Sequence, residues 1–120
     1  MSERKTYHGK CQCGAVRYSV VADLANLGDC NCSRCRRLGW VMHFAPVADF
    51  TLESGADYLS LYKFNTHKID HQFCTTCGIE SFARGVGPDG AAMVVIDVNC
   101  LEPAVPVDRG AIQHYDGANW

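Results

Sequence analysis

The chain has 120 residues, 48% of them hydrophobic and 20% charged, and carries a formal net charge of -2 at pH 7 from 11 Lys and Arg against 13 Asp and Glu. That length suits one domain that buries about two thirds of its unfolded surface, and the composition is that of a folding chain, not a disordered one. The charge excludes a global basic field able to hold nucleic acid or an anionic membrane.

The N-terminus, Met1 to Lys10, has no apolar stretch of the signal-peptide kind, and no run approaches the length needed to cross a bilayer. A cytoplasmic location is expected. Reducing thiol pools there disfavour disulfides, so eight cysteines must be explained by metal, catalysis or burial. The first pair is Cys11-Gln12-Cys13-Gly14. In an extended segment, side chains two apart point the same way, and the following glycine permits the positive φ of a tight turn.

Strands are predicted where β-branched and aromatic residues gather or alternate: Ala15 to Ala22, Trp40 to Ala45, Tyr58 to Phe64, Ile79 to Arg84 and Ala92 to Val98. Cys30, Cys32 and Cys35 fall within six residues, and Ser33 to Leu38 reads as one short helical turn. His67 to Phe73 alternates, with His67, Ile69, His71 and Phe73 on one face, and leads into Cys74-Thr75-Thr76-Cys77-Gly78. Glu53-Ser54-Gly55 and Gly87-Pro88-Asp89-Gly90 are turn signals, the latter a hairpin. From Pro103 the tail reads as irregular. The fold class expected is therefore mainly β with little helix, as one zinc-binding domain over residues 1–120 whose motifs span about 8–117.

Two cysteine pairs from distant parts of a β domain supply four thiolates, so Cys11, Cys13, Cys74 and Cys77 are assigned to a closed structural zinc site. The middle cluster differs. Cys30, Cys32 and Cys35 can surround an ion but leave a fourth tetrahedral position open, which is the pattern of a catalytic zinc. Arg34, Arg36 and Arg37 beside it could offset thiolate charge or clamp a substrate carboxylate; an exposed basic turn is the plainer alternative. His43 is the candidate general base.

Other readings compete. A disulfide scaffold would need a secretory context. The triad could be a second closed site completed by Cys100 or His43, or Cys32 and Cys35 a redox dithiol, although the latter lacks a βαβ setting. Cys100 reads as a buried small hydrophobe, His67 and His71 as partly buried structural histidines, and Trp40 as core more than substrate platform.

Gly9-Lys10-Cys11-Gln12-Cys13-Gly14-Ala15-Val16, Cys30-Asn31-Cys32-Ser33-Arg34-Cys35-Arg36, Tyr62-Lys63-Phe64-Asn65 and Phe73-Cys74-Thr75-Thr76-Cys77-Gly78-Ile79 together resemble the glutathione-dependent formaldehyde-activating enzyme family, which also includes centromere protein V. The likeness extends to His114-Tyr115-Asp116-Gly117. It implies a β-tent of antiparallel sheets with two zinc ions, one at positions matching Cys11, Cys13, Cys74 and Cys77 and one at Cys30, Cys32 and Cys35. It also implies carbon-sulfur lyase activity that joins formaldehyde to glutathione, or cleaves S-hydroxymethylglutathione. The expected partner is thus glutathione or a similar small thiol adduct, with no nucleic acid and no membrane. A noncatalytic zinc module that binds a macromolecular partner through its β surface is the alternative.

Overall fold

The structure, a computed structural model, describes residues 3–64 and 69–119. Among the described residues there are eleven strands and one short α-helix: β1 Lys5–Lys10, β2 Arg17–Ala22, β3 Leu27–Cys30, α1 Ser33–Leu38, β4 Met42–Pro46, β5 Phe50–Ser54, β6 Leu59–Tyr62, β7 Asp70–Cys74, β8 Phe82–Val86, β9 Ala92–Asp97, β10 Leu101–Glu102 and β11 Gln113–Tyr115. They build two sheets, ordered β10-β1-β2-β5 and β11-β3-β4-β9-β8-β7-β6. Every pairing is antiparallel except that of β11 with β3. This is the mainly β architecture of antiparallel sheets with little helix that the sequence predicts.

The core lies between the sheets because each contributes one apolar face. Tyr18 of β2 and Phe50 of β5 meet Phe82 of β8, with ring centroids 5.0 to 5.8 Å apart. The Tyr18 hydroxyl, fully buried, donates to the Ser81 carbonyl at 3.1 Å. A buried phenol needs such a partner, and this one fastens one sheet to the other across 63 residues of chain. The Gly87 to Gly90 turn does connect the β8 and β9 hairpin, in register from Phe82 opposite Ile96 to Val86 opposite Ala92.

Some boundaries and elements differ from expectation. β1, β3, β5 and β10 were not anticipated, because they are short or carry polar residues and Gly, and pairing rather than apolar alternation sets them. The tail is not wholly irregular, since β11 pairs with β3 over Gln113 to Tyr115. The strand expected from His67 begins at Asp70; His67, Lys68 and Asn65 lie outside the described residues. Of the alternating face, His71 is 2% exposed but Ile69, just before β7, is 42% exposed.

Candidate functional site

The first cluster forms at two tight turns. Cys11 follows β1 and Cys13 lies in the β1–β2 connection, where the Cys11 N–H donates to the Val16 carbonyl at 3.0 Å and the Gly14 N–H to the Cys11 carbonyl at 3.2 Å. Cys74 closes β7, and the Gly78 N–H returns to its carbonyl at 2.8 Å. Gly14 and Gly78 take φ values of +84° and +80°, the left-handed region predicted for the residue after each pair. These turns bring Cys13 Sγ within 3.7 Å of both Cys11 Sγ and Cys74 Sγ. Four sulfurs on a tetrahedral ion with bonds of about 2.3 Å are separated by about 3.8 Å, so the spacing fits a metal. The fourth sulfur, of Cys77, lies in the same group, with all four within 4.8 Å of one another.

Crowding divides the protons unevenly. Burial works to raise the Cys77 thiol, but the main-chain groups of Cys13 and Ile79 outweigh it and bring it down to about 6. The Ala15 main chain works to lower Cys13, yet burial and the sulfurs of Cys11, Cys74 and Cys77 push it up to about 11. Four sulfurs this close cannot all ionise against one another, and a cation at their centre removes that conflict.

The second cluster is local. Cys30 ends β3, Cys32 is the N-cap of α1, and Cys35 lies inside the helix. The Cys32 N–H donates to Cys30 Sγ at 3.4 Å and the Cys35 N–H to Cys32 Sγ at 3.3 Å. The three sulfurs lie within 4.8 Å of one another, and no fourth His, Cys, Asp or Glu joins them among the described residues. Burial pushes Cys35 up, far beyond the ordinary thiol range, with the Cys32 sulfur adding to the effect. Burial also acts to raise Cys32, but the main-chain groups of Cys35 and Arg34 bring it below its usual value. Either cluster could hold a metal ion.

The C-terminal segment packs over this triad. Asn31, between two of the cysteines, accepts from the Ala118 N–H at 2.9 Å and donates to Asp116 Oδ1 at 2.9 Å, a contact spanning 85 residues. Gly117 is required there, because a Cβ at its position would stand 2.5 Å from Cys30 Sγ. Neither role has a local signature in the sequence. Beside the triad opens a cavity of about 450 Å³ lined by Cys30, Cys35, Arg36, Trp40, Arg109, His114 and Tyr115, among others. His114 Nδ1 lies 2.7 Å from Asp29 Oδ1 at its rim.

The three arginines are dispersed. Arg36 reaches this cavity, whereas Arg34 and Arg37 line a second hollow with Tyr62 and Phe64. Arg34 donates through Nε and Nη2 to Glu80 Oε1 at 3.2 and 2.6 Å, and His71 Nδ1 holds Glu80 Oε2 at 2.7 Å. The Glu80 side chain is fully buried, so both partners are needed to stabilise its charge. An acid inside the apolar run Ile79 to Arg84 was the visible signal for such partners. His43 is not brought to the triad: it alternates with Met42 along β4, and Met42 is the one that packs with Cys35. Burial lowers its pKa. Cys100 lies in neither cluster; its thiol donates to Asp97 Oδ2 at 3.6 Å. Among the described residues no helix is long and apolar enough to cross a membrane.

A profile of the glutathione-dependent formaldehyde-activating enzyme matches residues 6–113. A Halomonas elongata protein that bears, provisionally, the name glutathione-dependent formaldehyde-activating enzyme is 32% identical over 78 residues, which cover 58% of this chain and 50% of that protein. The chain thus spans about half the length of this curated relative. A crystal structure of a Rhodobacter sphaeroides protein superposes with a TM-score of 0.76 at 33% identity, covering 89% of this chain and 98% of the other.

Proposed function

Because the chain belongs to the glutathione-dependent formaldehyde-activating enzyme family, we propose that it is a zinc-dependent carbon-sulfur lyase acting on an adduct of glutathione or a similar small thiol, such as S-hydroxymethylglutathione. Residues 1–120 act in this reading as one domain at a cytoplasmic location. The observation that carries it is the unequal pair of clusters, one with four sulfurs and one with three beside a cavity.

In this reading Cys11, Cys13, Cys74 and Cys77 hold a structural zinc, and Cys30, Cys32 and Cys35 hold the second. Sulfur donors suit zinc better than magnesium or calcium. Bound at the triad, zinc would supply Lewis acidity and favour the thiolate form of a substrate sulfur. In the forward direction a sulfur-carbon bond forms between thiol and formaldehyde while the sulfur proton leaves and the carbonyl oxygen gains one; cleavage reverses each change. Arg36 and Arg109 offer guanidinium groups to substrate carboxylates, and Trp40 and Tyr115 provide apolar walls. Arg34, held by Glu80, contributes by fixing α1 rather than by free contact.

The test is proton exchange spectroscopy on glutathione and formaldehyde at equilibrium. Faster interconversion with the wild-type protein, abolished by Cys32→Ala, supports the proposal; no acceleration with both metal sites filled refutes it. The noncatalytic alternative draws on exposed Leu61 and Tyr62 of the edge strand β6 and on Tyr58 just before it. It predicts exchange at the spontaneous rate, with no acceleration by the protein.

A further inference from the structure

Among the described residues three buried side-chain polar atoms lack a hydrogen-bond partner: Trp40 Nε1, His43 Nδ1 and Gln72 Oε1. The histidine can change tautomer and the glutamine has a second polar atom, but an indole has one donor and nothing else. A buried N–H of this kind is rarely left without an acceptor.

Its surroundings point to one. Trp40, 3% exposed, packs in a single cluster with Cys35 and Met42, against which Cys30 and Cys32 also lie. Within the triad, the Cys30 and Cys32 sulfurs each accept a main-chain N–H. Cys35 Sγ, by contrast, accepts no main-chain N–H among the described residues. A buried donor without an acceptor and a sulfur without a main-chain donor thus share one pocket. The ring is also held in place: His71 stands against it with centroids 6.2 Å apart, and Glu80 fixes His71.

We infer that Trp40 is a positioning residue of the open site, its indole N–H serving as the hydrogen-bond donor to the Cys35 sulfur when that sulfur is a thiolate. A neutral thiol is a weak acceptor and an anionic sulfur a strong one, so the bond tightens as charge develops. Groups that orient ligands from behind commonly alter metal affinity by about 10- to 100-fold. The inference rests on the reading that the triad holds a metal.

Two measurements test it. In the 15N-labelled wild-type protein, filling the second site with zinc is expected to move the Trp40 indole proton downfield; a resonance that stays in place overturns the inference, whatever the behaviour of any variant. Trp40→Phe keeps an aromatic ring but removes the N–H together with the rest of the five-membered ring, so the indole resonance of the wild-type protein is the reading that lost packing does not mimic. The variant is expected to weaken zinc at the triad by about tenfold or more and to shift the sulfur-to-metal charge-transfer band of the cobalt-loaded protein, with the four-sulfur site unchanged. Identical affinity and band position overturn it while leaving the metal reading intact. A wild-type protein that takes up one ion only rejects the metal reading, and the inference with it.

Discussion

The two cysteine clusters use one kind of ligand in opposite topological settings. Cys13 and Cys74 meet across 61 residues and join the β1–β2 hairpin of one sheet to β7 of the other. The triad instead lies within a single turn from β3 into α1, with the C-terminal segment laid over it. A long loop closed by metal restrains much of the chain, whereas a short one restrains almost nothing. In the proposed reading the difference separates two tasks, the first cluster holding the fold together and the second presenting sulfur at a cavity.

Breaking either cluster should expose that division most strongly. Cys77→Ser is expected to abolish cooperative folding, since structural zinc contributes about 10–16 kcal/mol in small peptides and whole domains are stable by only about 5–15 kcal/mol. Cys32→Ala should remain folded with a melting temperature within a few degrees of wild type. Circular dichroism melts with metal counts check both, and equal destabilisation contradicts the comparison.

A smaller effect is expected where the two regions are tied together. Glu80 follows Cys77 by three residues and holds Arg34 of α1, so Glu80→Gln should cost about 3 kcal/mol by leaving Arg34 and His71 without their anion. Denaturant titration would measure it, and a loss under about 0.5 kcal/mol would show the network to be incidental. Gly117→Ala sharpens the contrast from the other side. Its new methyl must displace Cys30 Sγ, so zinc at the triad should weaken at least tenfold while stability falls by about 1–2 kcal/mol. Competitive zinc titration reads the first change and thermal melts the second.

The smallest expected effect lies outside both clusters and serves as a control. Burial raises the Asp97 carboxyl to about 6 from its ordinary 3.8. The folded state therefore keeps a proton that the unfolded state has released between those values, and the stability it contributes is full below the lower value and lost as pH rises through the upper one. Between pH 5 and pH 7 the loss is about 1 kcal/mol, and Asp97→Asn should flatten it without altering metal content. A pH series of urea midpoints decides, and an unchanged slope in the variant would contradict the account.

The cysteine spacing and the glycines after each pair made both clusters legible before any coordinates, because turn geometry and ligand chemistry are local. β2, β4 and β9 were legible from their apolar runs. β1 and β11 were not, since Lys5 to Lys10 and Gln113 to Tyr115 become strands through pairing with distant segments. The same reason hid Asn31, Gly117 and Arg109, whose roles come from contacts made far along the chain. His43 drew notice by its closeness to the triad in sequence, but strand alternation turns it from the cysteines that Met42 faces.

Native mass spectrometry during stepwise chelation tests the division of labour most directly. Two zinc ions should leave in two steps, the first from the triad with the folded charge-state distribution retained, the second together with unfolding. Loss of both ions in one step, or unfolding at the first, would contradict it.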